Sequence, residues 1–304
     1  MGPHDVRVKV AYAGLNFPDV LMVLGNYQQK PQLPFTPGLE AAGHVAEVGD
    51  AVGHVKPGDR VLVHVPNGMM ADDVVVPGVI VHRLPDNVSL RDAAAFPVTY
   101  GTSYYALKER GALAKGESLV VLGAGGGVGL AAVEIGKAMG ARVIAVASSP
   151  DKLEAARAAG ATDIINYKTE DLRTRLKALS GENGVDVVYD PVGGPATEAA
   201  LRCMAWGGRL LIIGFAAGEI PKLPANLPLL KNCDIRGVLW GGYTKRYPEE
   251  NRLAMKELID MLGQGVLSPR VSSEYAMEDA GQALAQMAER TLVGKAVIRI
   301  QHLE

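Results

Sequence analysis

Polar and apolar positions alternate with a period of two near the start of the chain. Val6, Val8 and Val10 are separated by Arg7 and Lys9, which predicts a strand over residues 5–13 with one buried face. Gly14 and Pro18 break the pattern; a short helix is expected over 19–24 and a proline-rich loop holding Tyr27 over 25–37. Strand character returns over 39–48. Further short strands are expected over 60–65, 73–76 and 79–83, with a turn at Val55-Lys56-Pro57-Gly58-Asp59. This spacing predicts a small, closed or strongly curved β domain over residues 1–85.

Beyond it the period changes. Helices are expected over 90–95 and 100–108, and then apolar strands alternate with helices. The strands are expected over 119–122, 142–147, 163–166, 185–189, 209–213 and 234–239, and the helices over 128–139, 152–159, 171–179 and 196–204. Six strands with crossover helices predict an α/β fold with a doubly wound parallel sheet ordered 3-2-1-4-5-6. A helix over 249–262 leads out. A strand near 273–275, a helix over 278–288 and a final strand over 296–300 are expected to rejoin the first domain.

The first of these strand–helix units carries candidate chemistry. Leu119 to Leu122 form an apolar run, and Gly123, Gly125, Gly126, Gly127 and Gly129 follow at once. A glycine turn between strand and helix lets backbone N–H groups approach a pyrophosphate, here those of Gly126, Gly127 and Val128. The spacing Gly123-x-x-Gly126-x-x-Gly129 differs from the usual G-x-G-x-x-G. The next strand ends in Ser148 and Ser149, where NAD sites place an acid for the ribose 2′-OH. Two hydroxyls and Lys152 suit a 2′-phosphate, so the expected cofactor is NADP(H); Asp151 fits the start of a helix.

Composition narrows the picture further. The chain has 304 residues, room for two domains, and a net charge of −2, which argues against a nucleic-acid partner. Cys203 and Cys233 are its two cysteines and fit a reduced compartment. No signal peptide or membrane-length apolar run is visible, so a cytoplasmic location without a membrane partner is expected.

Six segments carry a resemblance over essentially the whole chain. AGLNFPDV at 13–20, GNYQQKPQLPFTPGLEAAGHVAEVG at 25–49, VKPGDRV at 55–61, VTYGTSYYAL at 98–107, GAGGGVGLA at 123–131 and INYKTEDL at 165–172 resemble the zinc-independent medium-chain dehydrogenase/reductases. Within them the resemblance is to the quinone oxidoreductase, or zeta-crystallin-like, branch. It implies a β-rich GroES-like catalytic domain over 1–97, a Rossmann NADP-binding domain over 98–240, and a segment over 241–304 returning to the catalytic domain. It also implies a strand pair ahead of Asp5, so the edge of the first strand here is either bare or covered by other strands.

Zinc-dependent relatives carry an early cysteine and a Gly-His-Glu. Here Asn16 stands at the cysteine's place and Gly38-Leu39-Glu40 replaces the histidine by leucine. The loop after Arg60 has no cysteine, and His44, His54 and His64 have none near enough for a ligand set, so no metal is expected.

The resemblance implies hydride transfer from NADPH to a quinone or an α,β-unsaturated carbonyl compound. An enoyl-CoA reductase of the acrylyl-CoA type is a variant. A non-catalytic NADPH-binding, RNA-associated protein is the alternative of another class. Tyr27 is expected as the proton donor. Asn16 either donates an amide N–H beside the substrate carbonyl or nicotinamide ribose, or caps the helix that Asp19 opens. Further cofactor contacts are implied at Thr102, Tyr167, Gly214, Phe215, Val238, Leu239, Trp240, Gly294 and Lys295, with Val238, Leu239 and Trp240 ending a strand. A homodimer through the last strand of the parallel sheet is implied as well.

Overall fold

In the computed structural model, which describes residues 1–303, the alternation of the first strand persists only halfway. Strand β1 spans Asp5–Leu15; Val6, Val8 and Val10 are fully buried between exposed Arg7 and Lys9, and Ala13, Gly14 and Leu15 are then all buried. The second half is covered on both faces: Ala13 and Leu15 pack against Ala283, and Gly14 lies against the Ala94 carbonyl and the Glu40 carboxylate, which accounts for the change.

The chain continues through α1 Phe17–Val23, β2 Glu40–Val48, β3 Arg60–His64, β4 Asp73–Pro77, a 3-10 turn Gly78–Ile80 and β5 Val81–Arg83. Helices α2 Leu90–Ala94 and α3 Pro97–Tyr104 follow, and α3 runs on as a π-helical turn over Tyr105–Arg110. The alternating part is β6 Ser118–Leu122, α4 Gly127–Ala138, β7 Arg142–Ala147, α5 Pro150–Ala159, β8 Asp163–Asn166, α6 Leu172–Ser180, β9 Val185–Asp190, α7 Pro195–Leu201, β10 Met204–Ile212, α8 Asn226–Lys231 and β11 Asp234–Gly237. The remainder is α9 Trp240–Arg246, α10 Pro248–Gly263, β12 Val271–Ala276, α11 Ala280–Ala288 and β13 Lys295–Arg299.

Two compact units result. Unit 1 is Met1–Gly101 with the chain from Gly241 onward, and unit 2 is Thr102–Trp240. In unit 1 the strands run β12-β13-β1-β2-β3-β5, with β4 paired to the first half of β1 and β13 to its second half. The edge of β1 is therefore covered, by strands from later in the chain. Valines of β1, β3, β4 and β5 fill its core, and Ala13, Leu15, Ala296 and Ile298 pack against Ala283 of α11 in a second cluster.

In unit 2 six parallel strands run β11-β10-β9-β6-β7-β8, the doubly wound order 3-2-1-4-5-6. Leu119 to Leu122 are at most 1% exposed, as a strand covered on both faces requires. Helix α5 stops at Gly160, whose φ of +114° no side chain tolerates cheaply.

Some elements differ from the sequence pattern. Residues 79–83 are not one strand: Gly78 N–H donates to His4 C=O, and the 3-10 turn takes up the first residues. The strand expected to include Val238 and Leu239 ends at Gly237, and Trp240 opens a helix instead of closing a strand. Helix α8 leaves no periodic pattern in the sequence, because Pro228 lies inside it and Leu229 and Leu230 are exposed, so no apolar stripe marks it.

His64 of β3 and His82 of β5 stack with ring centroids 6.4 Å apart. Burial pushes the His64 imidazole down to about 4; burial, with the charges of His64, His54 and Arg252, pushes His82 down to about 3. Unfolded histidines titrate near 6.5, so the unfolded chain takes up these protons first as the pH falls. The stability they contribute is complete above that value and drains as the pH drops toward 4. Replacing His82 by Phe removes one of the two protons. The variant should lose about 2 kcal/mol less stability than the parent between about pH 7.5 and pH 5 in urea titrations. Equal losses in the two proteins would show that His82 is not held neutral.

Candidate functional site

In unit 2 the glycine turn is shaped by close approach. Gly123 has φ +63°, and a Cβ at Gly129 would run into the carbonyl of Gly123, so the start of α4 can sit against the end of β6 only without a side chain there. Gly126, Gly127 and Val128 are half-buried at the helix N-terminus, where first-turn N–H groups have no intrahelical acceptor. Around Gly126 a Cβ would meet only the Gly123 carbonyl, at 3.7 Å, so the turn presents backbone rather than side chains.

The end of β7 gathers the other expected cofactor residues. Ser148 and Ser149 are half-buried, and Ser149 leads into α5 with no side-chain cap bond of its own. The Lys152 stem lies against Gly125, at the place a Cβ there would need. Tyr167 N–H donates to Ala147 C=O at 3.2 Å, which brings the tyrosine, 42% exposed, to the same strand end. Gly214 and Phe215 follow β10; Gly214 N–H approaches Asp190 C=O at 3.4 Å, and Phe215 covers Gly193. Val238 is tied to Ile212 C=O at 2.9 Å, Leu239 is exposed, and Trp240 is buried. Thr102 is half-buried on α3.

Residues not singled out in the sequence hold this region in place. Ser103 Oγ donates to Val128 C=O at 2.9 Å and lies 2.9 Å from Tyr189 Oη, so α3, the first turn of α4 and the end of β9 share one hydroxyl. Asp190 accepts from Val192 and Gly193 N–H and from Thr197 Oγ1 at 2.5 Å, fixing the turn after β9. Burial pushes the Asp190 carboxyl up.

In unit 1 one of the two expected catalytic residues, Asn16, belongs to a buried network. Asn16 lies between β1 and α1; its N–H donates to Asp19 Oδ2 at 2.9 Å, and Gly38 N–H donates to Asp19 Oδ1 at 2.9 Å. Burial pushes the Asp19 carboxyl up to about 7 against those two bonds. Tyr27 is half-buried in the loop after α1. Its phenol is raised by burial and then by the Asp19 charge, so it stays protonated at neutral pH.

The centre of the network is Lys295 at the start of β13, 3% exposed. Its ammonium donates to Leu15 C=O, Asn16 Oδ1 and Glu40 Oε1, each at 2.7 Å. Glu40 opens β2, is fully buried, and also accepts Asn16 Nδ2–H at 2.8 Å and Val98 N–H at 2.7 Å. A side chain at Gly14 would collide with this carboxylate.

Comparison with known proteins agrees with this geometry. The alcohol dehydrogenase GroES-like domain family matches residues 2–86, and the zinc-binding dehydrogenase family matches residues 127–258. A quinone oxidoreductase-like protein 2 homolog from Nematostella vectensis is 38% identical over 98% of this chain and 82% of its own. The crystal structure of Escherichia coli quinone oxidoreductase complexed with NADPH is 31% identical, covering 98% of this chain and 92% of that one, with a TM-score of 0.91. The quinone oxidoreductase from Thermus thermophilus is 35% identical, covering 97% and 91%, with a TM-score of 0.85. This chain belongs to the medium-chain dehydrogenase/reductases, in their quinone oxidoreductase branch.

Some members of the wider family hold zinc, and the residues present here do not fit it. Among the described residues no group of three or more His, Cys, Asp or Glu is placed to hold a metal ion, and both cysteines lie in unit 2. The charge beside Glu40 is an ammonium. Two expectations for this dehydrogenase/reductase change accordingly. Lys295 spends its three N–H donors on Leu15, Asn16 and Glu40 inside unit 1 and so positions the last two; in this arrangement no donor is left over for the cofactor contact implied for it. Asn16 spends one amide hydrogen on Glu40 and directs the other toward Gly14 C=O at 3.4 Å, so its amide is a corner brace more than a free donor.

Removing the ammonium strands a buried carboxylate. Lys295→Met should cost about 3–5 kcal/mol of stability, and adding Glu40→Gln should restore much of it. Urea unfolding of the two variants checks this; a double variant no more stable than the single one would mean that the pair is not the source of the loss.

Proposed function

We propose that this protein is an NADPH-dependent reductase that transfers hydride, without a catalytic metal, to quinones or α,β-unsaturated carbonyl compounds. The observation that carries the cofactor choice is the end of β7, where Ser148, Ser149, Lys152 and Tyr167 meet and no acid closes the strand. An acid there would accept from a ribose 2′-OH and repel a 2′-phosphate; hydroxyls and an ammonium do the reverse. Two charge-assisted hydrogen bonds are worth about 10²-fold in preference. The side-chain-free turn at Gly126 and Gly127 leaves room for a pyrophosphate against the α4 N-terminus. The E. coli relative's complex with NADPH supports the same choice.

NADPH, when bound, supplies the hydride. The chain's own part is to hold it, to exclude water and to deliver a proton. Tyr27 is the proposed donor, because its phenol stays protonated at neutral pH. The charge of buried Asp19 acts on Tyr27 from within unit 1 and further favours the protonated phenol. Lys295, Glu40 and Asn16 hold the entry to α1 and hence the loop carrying Tyr27. No helix among the described residues is long and apolar enough to cross a membrane. The edge strand β11, with Ile235 at 42% exposure, is the proposed site for pairing with a second copy.

Rates with 1,4-benzoquinone, a 2-alkenal and crotonyl-CoA, each with NADPH and NADH, test this reading. NADPH should be preferred by about 10²-fold, and Lys152→Ala with Ser149→Asp should erase the preference. Tyr27→Phe should lower kcat on the unsaturated carbonyls by roughly 10²-fold while leaving NADPH affinity unchanged. Dialysis against a chelator should leave the rates intact. A preference for NADH sinks the cofactor assignment, and full activity of Tyr27→Phe on every acceptor sinks the proton donor.

A further inference from the structure

Unit 1 holds a cavity of about 750 Å³ that shares no lining residue with the network around Lys295. Its volume lies within the range of small-molecule sites. One wall is built from the segment leading out of β4, the other from helix α10. Val52, Val79, Val81 and Ile259 give it an apolar lining.

The polar side of the cavity is unbalanced. Arg83, Arg252 and Lys256 face it against Glu249 and Asp260. Arg252 pairs with Glu249 at 2.9 Å and Lys256 with Asp260 at 2.8 Å, but all four side chains are 44–68% exposed on one face of α10. Pairs of this kind are worth little and re-form easily around another anion. Arg83 comes no nearer than 3.8 Å to Asp59.

A second observation is independent of these charges. His82 lines the same cavity and is 7% exposed, and its Nε2 has no hydrogen-bond partner among the described residues. A buried polar atom left unsatisfied costs free energy, and native interiors rarely keep one. Beside it, His54 Nε2 lies 3.2 Å from Val81 C=O and is already engaged. In the Nε2–H tautomer His82 keeps one unused donor closed off behind the cavity wall, and a turn of its ring would present that donor to an acceptor in the cavity.

We infer that this cavity is a second small-molecule site, built for an amphipathic monocarboxylate. The apolar body would lie on the valines and Ile259, and the carboxylate would accept from His82 and sit among Arg83, Arg252 and Lys256. A cation of the same shape meets the surplus positive charge. A neutral alcohol can accept from His82 but gains nothing from the arginines.

The test is calorimetric titration of the full chain, saturated with NADPH, with decanoate, decanol and decyltrimethylammonium below their aggregation concentrations. Decanoate should bind saturably at one site and more tightly than either control. Arg252→Gln and His82→Phe should each weaken it about tenfold, with NADPH affinity unchanged. Arg252→Gln and Lys256→Gln alter exposed helix positions, so they carry the test even if His82→Phe folds poorly. No saturable binding, equal binding of the alcohol or the cation, or an unchanged affinity in the arginine and lysine variants would each overturn the inference. None of these outcomes bears on the hydride-transfer reading, which is tested at other residues.

Discussion

Lys295 is the one lysine buried among the described residues, and two separate stretches of unit 1 supply the three acceptors around its ammonium. The end of β1 contributes a carbonyl, the turn into α1 an amide oxygen, and the start of β2 a carboxylate. Burying a cation and a carboxylate is expensive, and it is tolerated only when each remaining donor and acceptor finds a partner. Glu40 meets that condition with Asn16 Nδ2–H and Val98 N–H in addition to the ammonium. Sequence separations of 255 and more between the partners make the contact a lock on the whole unit, because β13 must return to β1 before it can form. The loop that carries Tyr27 leaves from this corner through α1, so the candidate proton donor inherits its position from an ion pair.

Unit 2 solves a different problem. A parallel sheet buried on both faces leaves the ends of its strands as the place where polar chemistry can reach a ligand. The glycine turn after β6 serves that end by absence of side chains, and the end of β7 by presence of hydroxyls and an ammonium. Behind them the shared hydroxyl of Ser103 and the carboxylate of Asp190 fix the neighbouring turns. These contacts carry no ligand chemistry themselves. They set the turn geometry on which backbone recognition of phosphate depends.

Titratable groups in unit 1 are tuned mainly by loss of water. Asp19 is pushed toward neutrality by burial even though two N–H groups donate to it. His64 and His82 are kept uncharged by the same cause, at strand positions that alternate with the core valines Val63 and Val81. The two effects run in opposite directions with pH: a carboxyl raised in the folded state favours folding as the pH falls, whereas histidines lowered in the folded state oppose it. One unit thus has its acid and its base limits set by different clusters.

The sequence by itself determined the strand and helix alternation of unit 2, its order, the glycine turn and the hydroxyl-rich end of β7. Each of these is local: a period of two or of 3.6, a glycine count, or a strand-end residue read within about thirty positions. It also marked Asn16, Asp19 and Tyr27 as a polar group following the first strand. Tertiary structure alone decided what those residues do. Glu40 reads in sequence as an ordinary strand-start acid, and Lys295 as a lysine beside a final strand, because a sequence separation of 255 hides the pairing. The edge of β1 is likewise closed by β4 and β13, which no pattern near the N-terminus announces. Ser103, Tyr189 and the unsatisfied nitrogen of His82 became visible only when distant backbone brought them together, since burial and hydrogen-bond partnership are properties of the packed chain and not of any window along it.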